Sequence, residues 1–183
     1  MYGMIHKALQ QMLQEQLPAG AVSRLAELRQ RRPDLFISAS EHTDEVTLEL
    51  LEKSADDLQL PLEDFMFRFG EYWISFADRG AYAPLMGIAG ETLPEFIENL
   101  DRLHVGVREA MPNARTPRFR MVQAGNTEMT VAYDSTRAGL EPFVTGLLCG
   151  LLRRFGHDGT VKRTSGGSNQ EIWFRVTFGG RTE

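Results

Sequence analysis

His104 and the run Tyr133-Asp134-Ser135-Thr136-Arg137, which begins 29 positions later, are the residues of this chain whose types and spacing could do chemistry. An imidazole offers one nitrogen lone pair to a metal. The run offers two hydroxyls and a guanidinium. In an extended strand alternate side chains share a face, so Tyr133, Ser135 and Arg137 would converge on one anionic target. Arginine meets a carboxylate as a planar fork, with two parallel N–H···O bonds. Together these features suit a ligand with a metal at its centre and a pair of carboxylates at its edge. Haem, with its two propionates, is such a ligand.

Each feature has a plainer reading on its own. A single histidine on an apolar stripe is more often a core residue whose nitrogens find hydrogen bonds. Tyr-x-Ser-x-Arg can decorate an exposed strand, and Arg137 could pair with Glu141 at i+4. Trp73 and Phe143 could be ordinary core aromatics. His6, His42 and His157 show no ligand spacing and read as surface or packing residues. Cys149 falls on a packed helix and reads as inert.

The elements that must position these residues follow from periodicity. Ile5, Ala8, Leu9, Met12 and Leu13 recur at helical spacing. Val22, Leu25, Ala26 and Leu28 mark a second helix that ends before Pro33. A third starts near Asp44 and carries Val46, Leu50, Leu51, Ala55 and Leu58. Pro61 opens a fourth, with Phe65, Phe69, Trp73 and Phe76 on one face. Tyr82 to Met86 should be irregular because of Pro84. The helix of His104 has a clear start: Thr92 as N-cap, Glu95 completing a capping box, and Pro94 in the first turn. Its apolar stripe runs Phe96, Ile97, Leu100, Leu103, Val107, Met111, and Pro112 should stop it.

The remainder changes character. Arg118–Val122 and Met129–Tyr133 read as strands about an Ala-Gly-Asn turn. A helix from Leu140 to Phe155 stops at Gly156. Two closing strands are expected at Gly159–Arg163 and Glu171–Phe178, the latter alternating Ile172, Phe174, Val176, Phe178. A short Ser165-Gly166-Gly167-Ser168 turn lies between them. The fold class is therefore α+β: helices first, then an antiparallel sheet with a long helix inserted. Residues 30–43 carry the weakest local signal.

Composition narrows the function classes. The 183 residues suffice for one ordinary domain, and 42% hydrophobic with 25% charged residues is globular. A net charge of −5 gives no general attraction to nucleic acid or anionic membranes. Cys149 is the only cysteine, which excludes an intrachain disulfide and multi-thiolate metal sites. No signal-peptide core and no apolar run of membrane-spanning length is visible, so a cytoplasmic location is expected.

Several longer runs carry a resemblance. They are Met1-Tyr2-Gly3-Met4-Ile5, Phe69-Gly70-Glu71-Tyr72-Trp73, the stretch from Leu93 to His104, Pro117, Ser135-Thr136-Arg137-Ala138-Gly139-Leu140, and Gly146-Leu147-Leu148. In these the chain resembles the H-NOX family, the haem–nitric oxide/oxygen binding domains. That family includes the regulatory domain of soluble guanylate cyclase and stand-alone cyanobacterial members.

The resemblance implies one haem domain over residues 1–183, with haem b between the helical part and the sheet. It makes His104 the proximal iron ligand and Tyr133, Ser135 and Arg137 the propionate clamp. It makes Pro117 the residue that presses the porphyrin out of plane. Ile5, Leu9, Trp73 and Phe143 would line the distal side. Oxygen-binding members carry tyrosine where this chain has Phe143, so NO and CO are the expected ligands of ferrous iron. The implied function is a non-catalytic gas sensor. It would signal by release of His104 and a conformational change, to a separate histidine kinase or cyclic-di-GMP enzyme. The alternative, a haem enzyme consuming NO or peroxide, would need a distal acid–base group. A haem-free module for another carboxylate ligand is a third reading.

Overall fold

The computed structural model describes residues 1–16, 23–164 and 171–181. Val22 and the Ser165-Gly166-Gly167-Ser168 turn lie outside them, as do the side chains of Leu25 and Ala26. The chain forms two compact units, Met1–Phe69 and Gly70–Glu183.

The first unit is helical: α1 (Gly3–Gln16), α2 (Ser23–Arg31), α3 (Asp44–Asp57) and the first half of α4 (Leu62–Ala77). The apolar spacing of α1 puts Ala8, Leu9, Met12 and Leu13 inside. From α3 come Leu50, Leu51 and Ala55, and from α4 Phe65, Met66 and Phe69, all buried. The weakly patterned residues 30–43 hold the end of α2, a 3₁₀ turn (Pro33–Phe36), a turn at Ser38–Ala39 and a single bridge from Glu41 to the start of the chain. Gly3 N–H donates to the Ser40 carbonyl at 2.8 Å, and Tyr2 bridges Glu41. A Cβ on residue 3 would sit 2.2 Å from the Ile37 carbonyl oxygen, so only glycine lets the two backbones meet.

His6 ties this unit together. It is fully buried on α1, its Nδ1 2.9 Å from the Leu35 carbonyl and its Nε2 2.8 Å from Thr47 Oγ1. A carbonyl only accepts, so Nδ1 carries the proton and Nε2 receives the threonine hydroxyl. Burial is the main reason its pKa is lowered from 6.5 to about 4, with the neighbouring His42 and the terminal amine adding to the effect. His6 is thus a packing residue, one of the two roles its spacing suggested.

The second unit is α+β. It contains the rest of α4, a 3₁₀ turn (Gly80–Tyr82), α5 (Ala83–Ile88), α6 (Leu93–Ala110), β1 (Arg118–Ala124), β2 (Glu128–Asp134), α7 (Glu141–Arg154), β3 (His157–Thr164) and β4 (Glu171–Arg181). The four strands form one antiparallel sheet in the order β1-β2-β4-β3. The inserted helix α7 packs on β3 and β4, and α6 packs on β1. The alternation of β4 places Phe174, Val176 and Phe178 in the core with Met129, Val131 and Tyr133 of β2. Leu93, Phe96 and Ile97 of α6 and Val144, Leu148, Leu151 and Leu152 of α7 complete it. Gly156, in the left-handed conformation at φ 69°, ends α7 as its type suggests.

Candidate haem site

The start of α6 fixes where His104 falls along it. Thr92 Oγ1 accepts the Glu95 N–H, and the Glu95 carboxylate accepts the Thr92 N–H at 3.2 Å, so the expected capping box is present. Three turns on, His104 Nδ1 lies 3.0 Å from the Pro117 carbonyl oxygen. The geometry assigns the tautomer: Nδ1–H donates, and Nε2 keeps its lone pair. Among the described residues no group bonds Nε2. Burial is the main cause of a lowered His104 pKa, opposed by the Pro117 bond and by Asp101. A neutral imidazole with one nitrogen oriented by a carbonyl and the other free is the usual form of a metal-ligating histidine.

Two further contacts join α6 to the same segment. Asp101 accepts the Phe119 backbone N–H at 3.0 Å, and Arg108 donates to Thr116 Oγ1. Asp101, His104 and Arg108 are three and four residues apart and share one stripe of the helix. The sequence reading did not single out Asp101 or Arg108. Polar residues one turn either side of a ligand candidate were the available signal.

The clamp residues are gathered differently from expectation. The strand that should have carried Tyr133, Ser135 and Arg137 on one face stops at Asp134. The physical reason is local: Ser135 Oγ accepts the Arg137 backbone N–H at 3.1 Å, which closes a turn where a ladder bond would otherwise continue. Tyr133 is buried, and its hydroxyl is hydrogen-bonded with Ser135. Burial raises its pKa more than that bond lowers it, so the phenol stays protonated and able to donate. Arg137 Nη1 donates to the Arg115 carbonyl at 2.5 Å. The turn therefore links the two hydroxyls to the backbone of Arg137 by hydrogen bonds rather than by strand alternation, while the guanidinium is held at the Arg115 carbonyl. It also ties them to the segment that holds Pro117.

Rings link the two features. His104 and Phe119 centroids are 6.1 Å apart, Phe119 and Tyr133 5.3 Å, and Tyr133 and Phe174 6.3 Å. Of the four residues expected on the distal side, Ile5 and Leu9 belong to α1 of the first unit, where Leu9 is buried and Ile5 half-buried. Trp73 and Phe143 belong to the second unit, on α4 and α7, both half-buried. The Trp73 ring lies 5.7 Å from that of Phe76 and packs against the core, as a mainly structural indole would.

The two helices are in backbone contact. A Cβ on Gly70 would stand 2.1 Å from the Phe143 carbonyl oxygen and 3.0 Å from Gly146 Cα. A Cβ on Gly150 would stand 2.9 Å from Ile74 Cγ1. The Phe-Gly-Glu-Tyr-Trp and Gly-Leu-Leu runs thus meet at one crossing.

The donor set fits haem. A neutral imidazole with an unengaged Nε2 suits iron, and two hydroxyls with a guanidinium suit propionates. The chain matches the profile of the Haem-NO-binding family over residues 2–163. It is 24% identical over 155 residues to soluble guanylate cyclase gcy-33 of Caenorhabditis elegans, covering 85% of this chain and 16% of that protein. It is 32% identical over 94 residues to the guanylate cyclase soluble subunit beta-2 of Rattus norvegicus, covering 51% of this chain and 14% of the relative. The chain thus spans about a sixth of the length of these cyclases. Its fold is that of a mutant H-NOX protein from S. oneidensis in the Fe(II) ligation state, with TM-score 0.84, 17% identity, and 100% and 98% of the two chains covered. On the match over nearly its whole length, the chain belongs to the Haem-NO-binding family.

Proposed function

We propose that the protein is a haem-based gas sensor in which His104 Nε2 is the iron ligand and both units act as one haem domain. The observation that carries this reading is the bond from His104 Nδ1–H to the Pro117 carbonyl. It presents the opposite nitrogen as a neutral donor on a helix tied to the segment beside it. Haem b bound here would supply a ferrous centre with one face open to a diatomic ligand. Tyr133, Ser135 and Arg137 would hold its propionates, and Pro117 would press on the ring. Ile5, Leu9, Trp73 and Phe143 would wall the distal side. Phe143 presents no hydroxyl. Bound O2 is strongly polarised and gains most from a donor, so the site favours NO and CO over O2.

What the chain adds is transmission. A change in how firmly His104 is held, up to its release, passes through the Pro117 carbonyl to residues 115–119. From there it reaches the clamp turn through Arg137 and the Arg115 carbonyl. Such a switch works only if the gas favours one of two conformations. The reader of that conformation is a separate histidine kinase or cyclic-di-GMP enzyme.

The absorption spectrum of the ferrous protein, recorded before and after NO and then in air, tests the proposal. Haem bands that respond to NO and CO, without a long-lived oxy spectrum, are expected. A colourless protein that takes up no added haem would sink it. A stable oxy complex lost on Trp73→Phe would overturn the NO preference and identify Trp73 as a donor.

A further inference from the structure

The two halves of α6 are held in unlike ways. Leu93, Phe96 and Ile97 are buried in the core of the second unit, whereas Arg102, Val105, Gly106, Arg108, Glu109 and Ala110 are exposed. His104 sits on the exposed half, eight residues beyond Phe96, a lever of about 12 Å at the helical rise. On that lever, a tilt of about 5° at the root displaces the imidazole by about 1 Å.

One side chain occupies the root. Arg154, the last residue of α7, is largely buried, with 15% of its side chain exposed. Its Nε donates to Asp78 Oδ1 at 2.8 Å, just past the end of α4, and its Nη2 to the Met86 carbonyl of α5 at 3.2 Å. Its guanidinium carbon lies 5.2 Å from the centroid of the Phe96 ring and 4.8 Å from that of Phe155, and these two rings meet edge-on at 5.8 Å. A planar cation can stack on aromatic faces while its edge donates two bonds in fixed directions, a combination an ammonium cannot reproduce. The neighbouring Arg153 is 66% exposed and pairs with Glu71.

We propose that Arg154 is a positioning residue for His104: by joining α4, α5 and α7 to the Phe96 ring, it fixes the root about which α6 carries the ligand. This rests on the reading of His104 as the iron ligand. It assigns a role to a residue outside the set proposed to touch the haem.

The test is hydrogen–deuterium exchange on the haem-loaded protein, comparing Arg154→Lys and Arg154→Met with Arg153→Ala. Both Arg154 variants should raise exchange of the α6 amides between Phe96 and His104 by roughly tenfold or more, the effect of losing at least one charged hydrogen bond at a local opening. Amides of β2 and β4 should keep wild-type rates, and Arg153→Ala should leave α6 unchanged. The ferrous iron–histidine stretching band should broaden or shift in both Arg154 variants and stay at its wild-type position in Arg153→Ala. Unchanged α6 exchange in both variants would overturn the proposal, and so would an increase shared equally by the sheet. A wild-type protein without haem bands would instead overturn the ligand reading. That failure shows in the spectrum alone, whereas failure of the anchor shows in exchange with the spectrum intact.

Discussion

His6 and His104 start from the same local chemistry and end in different roles. Both sit on helices, both offer Nδ1 to a backbone carbonyl at about the same distance, and in both burial is the main cause of a lowered pKa. The difference is the second nitrogen. Thr47 Oγ1 takes Nε2 of His6, while no described protein group takes Nε2 of His104. A buried imidazole with two protein partners is a cross-link. One with a single oriented partner is a candidate ligand. Helix position and the carbonyl bond do not separate the two cases; the second partner does, and so does exposure, since His6 is fully buried and His104 only partly.

Substitution should break this pair in opposite ways. The largest effect is expected for His104→Ala, which on the proposed reading removes the protein ligand and with it the five-coordinate ferrous spectrum. Added imidazole should restore that spectrum by occupying the vacated position, and thermal unfolding of the variant should stay close to wild type. If the alanine variant keeps the wild-type ferrous spectrum without imidazole, the ligand is elsewhere. His6→Ala should do the reverse. It leaves the Leu35 carbonyl and Thr47 hydroxyl without their partner inside a filled core, a loss on the order of 3 kcal/mol or more in urea unfolding. Imidazole should not rescue it.

Acid sharpens the contrast. The folded-state pKa of His6 lies below the value for an unfolded chain, so the unfolded state binds the proton first. Its contribution is complete above pH 6.5 and declines as pH falls from there to about 4. The full window corresponds to about 3 kcal/mol as an upper bound. Unfolding midpoints measured between pH 7 and pH 4 should fall more steeply for wild type than for His6→Gln. Parallel profiles would show that His6 is protonated as easily folded as unfolded. The smallest effect is expected at the clamp. Arg137→Ala removes one charged donor, worth roughly 1.5–3 kcal/mol if shielded from water. Haem dissociation should quicken by about tenfold to a hundredfold while the ferrous spectrum stays five-coordinate. An unchanged dissociation rate would move the clamp to another arginine.

What could be read from the residues divides along physical lines. Patterns written in one stretch of chain were legible: the Thr92–Glu95 capping box, the alternation of β4, the stop at Gly156, and the stripe that buries Phe96 and Ile97. His104 and Pro117 could be named, but not the bond between them, because no local pattern encodes a contact across thirteen residues. The strand ending at Tyr133 was read to within a residue, but the alternation expected to carry on through Ser135 and Arg137 does not, because the Ser135 hydroxyl competes with the ladder for the Arg137 N–H. Residues 33–43 were opaque for a related reason. Their shape is set by the backbone of α1, through Gly3, rather than by their own periodicity. The second partner of His6 lies 41 positions away, and nothing near position 6 announces it.

The Gly70–Gly146 crossing bears on how ligand preference is set. On the reading that Phe143 faces the haem, the type of that ring is only half of what an entering gas meets. The other half is where its backbone stands, and the missing Cβ of Gly70 is what lets the Phe143 carbonyl approach α4 so closely. A single methyl added at position 70 would meet the carbonyl oxygen of residue 143 and the amide nitrogen of residue 147, so α4 and α7 could keep this crossing only by moving apart. On that reading, the glycine at position 70 belongs to the account of how the ring of residue 143 is placed, though its own side chain contributes no more than a hydrogen atom.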